Sequence, residues 1–590
     1  MHKKGNLVDN LFSGTLLIMV MSAMISLIGM LIDGLVIGNF LGVDAMAAYG
    51  LATPIFVIIA AVGGVFSSGL QTVCAKLLGG GKIDEAKQSF SAMLITGMIT
   101  GLSFMLILSI FSGWLATALG ASGDSSQLYE PTRDYLFGLG LGIPGMIIMN
   151  LLTPIMQLDN DRDQVMKATI CMTAVNITGD MLVAFVLPWG MFGMALFTSI
   201  SYYAALIVLL LHFLKKDIMF RPDFRHANMK QVPSMISIGI PTAVSRVCNT
   251  MRTLCLNKLL LFLASSGAVA ALSIQSNMVG LFGSVGTGIG LATLMLAGLF
   301  YGEEDTTSLN HLVKAGLKKI LLIVLPIAII LFLFSPLLVK MYGAQSSAEV
   351  QTMATNAVRF YAISLPLYSI NIVVMNYLQG THKLKLSNFV SFLDNFGFVV
   401  LIAVVLGNIL GPNGVWMAFP VGEVFTLIVV FILAYIHEHR LPLKTENYLF
   451  LEQNFDVTGN QKFESAITNN EQVMAVSCQV MDFCEANGIK KRESNLISLY
   501  VEEMGKNIIS YGFNDGKSHN MDFKLVLKES EAILRFRDDC VKFDPKQYIK
   551  LLNPEDEISH IGIRMVMKSC DQVEYVNAMT INNLRLHINI

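Results

Sequence analysis

The chain has 590 residues, 54% of them hydrophobic and only 14% charged, with a mean hydropathy of +0.59. Soluble domains carry about 25% charged residues, so this composition excludes a water-soluble protein over most of the length. A net charge of −2 supplies no basic field, and no nucleic-acid partner is expected. The eight cysteines form no C-x-x-C pair and have no His-rich neighbourhood, the pattern of plain thiols and not of a metal site.

In chain order, Lys3 and Lys4 precede an apolar run from Leu11 to Gly38. That run exceeds the roughly 7–15 residues of a signal-peptide core and lacks a small-residue cleavage site, so it predicts a first membrane span. Apolar runs of about 20 residues recur to give twelve predicted spans, the first centred near residue 25 and the last near residue 425. After Tyr435 the character changes: His437, Glu438, His439, Arg440, Lys444 and Glu446 fall close together, and no later run is long enough to span. Lys76, Lys82 and Lys87 follow span 2, Arg162 and Lys167 follow span 4, and Lys215, Lys216, Arg221, Arg225 and Lys230 follow span 6. Lys314, Lys318 and Lys319 follow span 8, and Lys383 and Lys385 follow span 10, whereas the loops after spans 1, 5 and 11 carry no Lys or Arg. Positive loops resist translocation, which predicts a multi-pass protein of the cell (inner) membrane, embedded in lipid, with both termini cytoplasmic.

The spans also repeat. Ala-Met-Ala-Ala-Tyr-Gly-Leu at 45–51 is echoed by Ala-Val-Ala-Ala-Leu at 268–272, Gln157 by Gln379, and residues 191–195 by 412–418. The predicted fold class is therefore a polytopic α-helical membrane protein of about twelve helices in two parallel six-helix lobes, 1–220 and 221–440. A linker at 441–469 and a water-soluble α/β domain at 470–590 follow. A duplicated bundle is the plan of a two-lobed alternating-access transporter.

A carboxylate inside a span costs at least about 2.5–3.5 kcal/mol, so each one needs a reason. Asp33 lies in span 1 and Asp180 in span 5, with Asn176 one turn away on the same face, and Thr198 lies in span 6 at a similar depth. If spans 1, 5 and 6 pack together, these groups could share a proton between paired acids, coordinate Na⁺, or form a hydrogen-bonded clasp between helices. The repeat maps Asp33 onto Leu256 and Asp180 onto Ile402, so the second lobe lacks equivalent acids. Its own charges are Arg246, Arg252, Asp394 and Glu423, in which the arginines either bridge to the acids or line a cavity.

The stretch Leu31-Ile-Asp33-Gly-Leu-Val-Ile-Gly38-Asn-Phe-Leu-Gly42, followed by Leu51-Ala-Thr-Pro54, resembles the first-span region of the multidrug and toxic compound extrusion (MATE) family. So do Gly69-Leu-Gln71 and Leu78-Gly-Gly-Gly81-Lys-Ile-Asp-Glu-Ala86. Asn176-x-x-x-Asp180, Gly193-Met-Ala195 and Thr198 are similar to the DinF-like branch. The resemblance covers roughly residues 8–440. It implies a V-shaped pair of bundles exporting small organic, often cationic, compounds in exchange for H⁺ or Na⁺, with Asp33, Asn176, Asp180 and Thr198 as the cation-coupling residues.

In the C-terminal region, periodicity predicts helices at 471–487 and 493–511, a hairpin of 521–527 and 532–537, a loop and helix around 545–570, and strands at 573–578 and 584–590. Glu503-x-x-x-Asn507 places a carboxylate and an amide on one helical face. Asp538 ends a strand before Phe543-Asp544-Pro545, and Ile561-Gly562-Ile563 opens a later helix. Together these resemble the histidine-kinase-like ATPase fold of anti-sigma-factor serine kinases. That resemblance implies ATP and Mg²⁺ as ligands, with Glu503 as general base, Asn507 as Mg²⁺ ligand, Asp538 as adenine reader and Gly562 in a phosphate lid. It also implies a cytoplasmic regulatory protein as partner. Two departures are Asp538-Asp-Cys540-Val-Lys542 in place of D-x-G-x-G, and His560 at the lid's first glycine; side chains there restrict backbone approach to a nucleotide. The expected function is a cation-coupled exporter with a nucleotide-sensing regulator. A membrane-anchored signalling kinase with a transporter-like sensor and a lipid-linked-precursor flippase are the alternatives. No G-x-x-x-x-G-K-[ST] loop is present, which argues against an ATP-driven pump.

Overall fold

The computed structural model describes residues 6–121, 127–264, 266–342, 347–452, 455–457, 461–513, 516, 519–551 and 561–590. In lipid the backbone must satisfy its own hydrogen bonds, and the apolar runs answer with long helices. The first six rods are α1 (Asn6–Val36), α2 (Val43–Gly79), α3 (Ile83–Ala118), α4 (Tyr129–Leu158), α5 (Arg162–Phe185) and α6 (Gly190–Leu210). A second set follows: α7 (Val232–Leu263), α8 (Ser266–Gly302), α9 (Thr306–Lys319) continuing through a π turn into α10 (Leu325–Tyr342), and α11 (Ala348–Gly380). It ends with α12 (Leu384–Phe392), continuing through a π turn at Leu393–Gly397 into α13 (Phe398–Leu410), and α14 (Pro412–Glu438).

Among the described residues, eleven helical stretches are long and apolar enough to cross a membrane, one fewer than the sequence predicts. The rod outside that group is α7, whose Arg246, Arg252 and Lys258 dilute its apolar character although it packs among the others. The duplication is visible in the turns as well as the rods. Gly81 and Glu304 are both left-handed (φ 76° and 54°), as are Asn160 and His382 (φ 63° and 60°), each pair at equivalent places in the two halves. A non-glycine residue in this region is uncommon and implies that the surrounding turn dictates it.

The lobes meet in a pseudo-two-fold arrangement in which α1 packs on α8 and its counterpart α7 packs on α2. At the carboxyl ends of α2 and α8 the backbones themselves touch. A Cβ on Gly79 would lie 2.0 Å from the Leu299 carbonyl oxygen, and one on Gly302 would lie 2.0 Å from that of Lys76. These are the same contact seen from either lobe, and they seal that end of the bundle.

Beyond α14, the segment expected as a linker at 441–469 is partly structured. The Tyr377 hydroxyl donates to Leu449 O at 3.0 Å, and an edge strand, β1 (Lys462–Ile467), already belongs to the next domain. Periodicity missed β1 because it is short and lies in polar sequence. The domain continues with α15 (Asn470–Ala486), α16 (Lys491–Asn507), β2 (Met521–Leu527), β3 (Glu531–Asp538), α17 (Pro545–Leu551), α18 (Ile561–Ser569), β4 (Gln572–Ala578) and β5 (Ile581–Asn589). The five strands form an antiparallel sheet in the order β1-β2-β3-β5-β4.

Strand alternation gives this sheet two unlike faces. Phe523, Leu525, Leu534, Phe536, Leu584 and Leu586 form a core with Val476, Val480, Ile497 and Val501 of α15 and α16. The opposite face carries Asp522, Lys524, Arg535, Arg537, Asn583 and Arg585, and it is not solvated: it docks on the sealed end of the bundle. Arg535 Nη1 and Arg537 Nη1 reach Glu303 at 3.0 and 2.9 Å, and Arg535 Nη2 reaches Asp305 at 2.5 Å. The Glu303 and Asp305 side chains are 1% and 2% exposed. Burial alone would raise the Asp305 carboxyl, but the charges of Arg535, Lys524 and Arg537 outweigh it and hold the group well below the usual carboxylate range. A depressed native value contributes stability that is present above the unfolded value and lost only as pH falls through the native one, so neutral pH leaves this contact intact.

Overpacking at the α2–α8 contact costs about 1–3 kcal/mol. Gly302→Val is therefore expected to lower the melting temperature of the purified protein in detergent. Gly50→Ala, where an added Cβ meets nothing within 4 Å, should leave it unchanged.

Candidate functional site

The site begins with α1, α5 and α6, which the sequence expected to converge. The structure brings together all four residues singled out for that lobe. Asp33 on α1 lies in hydrogen-bonding contact with Asp180 and Asn176 of α5, and Asn176 Nδ2 donates to Thr198 Oγ1 of α6 at 3.4 Å. Asp180 is fully buried, and neither of its oxygens, nor Asp33 Oδ1, has a donor. Two carboxylates in contact without a donor repel, and dry surroundings strengthen the repulsion. A proton on one of them, or a small cation between them, resolves it.

This pair borders a central cavity of about 520 Å³, lined from the first lobe by Asp33, Tyr49, Gln71, Tyr135, Asn150, Asn176, Thr198 and Tyr202. From the second lobe Thr242, Arg246 and Leu291 close it. The volume lies in the range of small-molecule sites, roughly 300–1,000 Å³. Met146, Met149 and Met172 add pliable apolar surface. Of the two roles open to Arg246, cavity lining is the one observed: among the described residues its guanidinium has no carboxylate within 4 Å, and it lies against Gly64 of α2. Tyr49, Tyr135 and Tyr202 went unnoticed in the sequence, where isolated tyrosines in spans carry no spacing signal.

The second lobe builds a different acidic pair. Asn371 Nδ2 donates to Asp394 Oδ1 at 2.8 Å and to Glu423 Oε2 at 2.7 Å, with all three side chains buried. Arg252 does not bridge to either acid. It donates to Asn249 Oδ1 at 2.9 Å and lies over the Phe419 ring.

In the C-terminal domain, Asn507 and Asp538 line one pocket with Cys540, Lys542, Phe543, Tyr575 and Asn582. Glu503 stands one turn before Asn507 and is pressed against α18, where a Cβ on Gly562 would overlap its Oε2. Asn507 Nδ2 donates to Glu503 O at 2.7 Å, which leaves the amide Oδ1 as the atom able to face a cation. Asp538 Oδ1 accepts from Cys540 N at 3.0 Å and from Asn582 Nδ2 at 2.8 Å. Burial pushes this carboxyl up against those two hydrogen bonds. At about 170 Å³ the pocket among the described residues is smaller than sites that enclose a whole small molecule. His560 lies outside the described residues. Cys540 also approaches His519 and Asp539 closely enough for the three side chains to meet at one point, a cluster that sequence spacing does not reveal.

With this geometry established, comparison with known proteins is direct. A single family model, MatE, matches the chain twice, at residues 18–182 and 241–405, once in each lobe and together over more than half of the chain. The protein belongs to the MatE family. It is similar to the multidrug export protein MepA of Staphylococcus aureus (strain MSSA476), 23% identical over 415 residues that cover 68% of this chain and 88% of the relative. The MepA of Staphylococcus saprophyticus is 24% identical over 419 residues, covering 69% and 89%. Among solved structures, an outward-facing MATE family multidrug resistance transporter of the MOP superfamily superposes with a TM-score of 0.68 at 21% identity, covering 73% of this chain and 97% of that one. A MOP superfamily transporter from Pyrococcus furiosus gives 0.68 at 20% identity, covering 75% and 99%. The multi-pass helical fold of this family is therefore that of the present chain.

Proposed function

We propose that the protein is an H⁺- or Na⁺-coupled antiporter of the DinF-like kind that exports small organic compounds across the cell membrane. The observation that carries this reading is the contact of Asp33 with Asp180, whose two oxygens have no donor among the described residues, beside the cavity. Releasing the proton or cation would restore repulsion between the acids, and that repulsion can drive the local packing that cargo senses. Asn176 and Thr198 supply the neutral oxygens a cation would need. The membrane orientation in this reading follows the loop charges: Lys76, Lys82, Arg162, Lys383 and Lys385 favour a cytoplasmic position for the sealed end and the domain docked on it.

Arg246 refines the cargo. A guanidinium facing the cavity without an acidic partner is an expensive arrangement, and a ligand acceptor would satisfy it. The cavity thus suits compounds joining an aromatic or apolar body to an anionic or strongly accepting group, in addition to the cationic compounds the family resemblance implies. For the C-terminal domain we propose a nucleotide-binding-like regulatory role, centred on Asn507 and Asp538 with Mg²⁺ at Asn507, and Glu503 and Gly562 beside it. A cytoplasmic protein partner would act through the same domain. The filled positions Cys540 and Lys542 argue against efficient kinase turnover.

In proteoliposomes with imposed H⁺ or Na⁺ gradients, Asp33→Asn and Asp180→Asn are each expected to abolish gradient-driven uptake of a fluorescent substrate panel while the protein inserts normally. Full transport by both variants removes the coupling assignment. In the same assay Arg246→Gln should slow carboxylate- or sulfonate-bearing dyes by about tenfold or more, the scale of one lost charged hydrogen bond, and leave quaternary-ammonium dyes unaffected. A fluorescent ATP analogue with Mg²⁺ should bind the purified full-length protein, and Asp538→Asn should weaken it; no binding by the unmodified protein refutes the nucleotide role.

A further inference from the structure

The sheet of the C-terminal domain touches both lobes at once, on the α8–α9 loop of the second and on the end of α2 and the α4–α5 loop of the first. On the second lobe it grips Glu303 and Asp305. Glu303 accepts from Arg535, Arg537 and Asn583 at 3.0, 2.9 and 2.7 Å, and Arg537 Nη2 also reaches Ser308 Oγ at 2.8 Å. On the first lobe the partners are backbone carbonyls, the Asn160 amide and the Arg162 cation, with no acid among them. Arg585 donates to the Gly79 carbonyl, and Arg162 Nη2 donates to Met579 O at 3.2 Å. Asn160 Nδ2 donates to Asn577 Oδ1 at 2.5 Å, while Thr580 N donates back to the Asn160 side chain. Met579 is fully buried and joins the hydrophobic cluster of the helical bundle, not that of its own domain.

The turn that makes this contact is unusual. Ala578 pairs with Ile581, so Met579 and Thr580 form a two-residue hairpin loop, and both are left-handed (φ 57° and 65°). Such loops favour Asn-Gly because side chains are strained there. Met-Thr in their place sacrifices local stability and gains a plug against α4 and α5.

We propose that the C-terminal domain is an inhibitory clamp: it rides on the second lobe through Glu303 and Asp305, and its 577–580 turn with Arg585 latches the first lobe, holding the bundle shut at the sealed end. The clamp rests on the exporter reading for its meaning but not for its test. Opening that end parts Gly79 from Leu299 and Gly302 from Lys76, and a domain bound to both lobes must release one. The latch is the side that lets go. Its amides and carbonyls, and the Arg162 and Arg585 guanidinium groups that face carbonyls and no acid of the other lobe, recover hydrogen bonds from water, whereas Glu303 stripped of two arginines loses the compensation for its burial.

The test uses the full chain in lipid, with spin labels at Asp84→Cys and Lys314→Cys on a background lacking the native cysteines. The release variant Asn160→Ala/Met579→Asn/Thr580→Gly installs the preferred turn, so the hairpin itself still folds. It should shift the population toward longer inter-lobe distances, with the open-to-closed ratio rising about tenfold for the lost latch contacts, and speed uptake of the dye panel. A second protein, Asn160→Cys/Asn577→Cys joined by a short reducible bis-thiosulfonate linker, should stay closed and transport at least about tenfold slower until reductant is added. Identical distance distributions in the release variant and the unmodified protein, or a linked protein that opens freely, overturn the clamp. Distances that respond in proteins that move no cargo support the clamp and sink the exporter reading instead.

Discussion

The contact on which the architecture turns is the backbone approach of α2 and α8 at Gly79 and Gly302. Two helices can bring α-carbons onto carbonyl oxygens only where no Cβ intervenes, and each lobe contributes the same glycine to the other's carbonyl. That contact determines which end of the bundle is shut and leaves the central cavity beyond it, among Asp33, Gln71, Tyr135 and Arg246. It also aligns the α2–α3 and α8–α9 loops side by side, so that one rigid sheet can touch both.

Each lobe buries two acids, but the solutions differ. Asn371 donates one amide nitrogen to both Asp394 and Glu423, a bridge that still leaves Asp394 Oδ2 without a donor. Asp33 and Asp180 have no such bridge: Asn176 turns its Nδ2 to Thr198, and both Asp180 oxygens lack donors. A pair that no amide bridges depends on an ion that can come and go. The asymmetry between lobes therefore lies less in whether carboxylates are present than in what stands between them.

Much of this was readable from the residues alone. A carboxylate in lipid is costly enough that Asp33 and Asp180 identify themselves, and the i, i+4 spacing places Asn176 beside the second of them. The duplicated lobes were legible because equivalent places keep equivalent residues, Gln157 with Gln379 and 45–51 with 268–272. The direction of Arg246 was not legible, since a helix with several polar faces does not reveal which one meets a cavity. Nor was the role of Asn371, whose two partners lie 23 and 52 residues away. The strands of the C-terminal domain followed from their alternation, but alternation alone presents Lys524, Arg535 and Arg537 as an ordinary solvated face. Only the fold shows Glu303 and Asp305 arriving to bury them. β1 escaped because an edge strand with intermediate burial has little hydrophobic signal to display.

The choice of charge for that docking face has a physical consequence. An apolar face would bind the bundle with less desolvation penalty, but once exposed it would be a large hydrophobic patch beside a membrane. A face of Asp522, Lys524, Arg535, Arg537, Asn583 and Arg585 is soluble when free and specific when bound, because only a loop that offers acids in the right places repays its desolvation. The two equivalent loops answer this requirement unequally. The second lobe presents Glu303, Glu304 and Asp305 where the first presents Gly80, Gly81 and Lys82. A duplicated bundle with identical loops would give the sheet two equal seats; the divergence of three residues leaves one acidic anchor, and the first lobe is held instead at Gly79, Asn160 and Arg162.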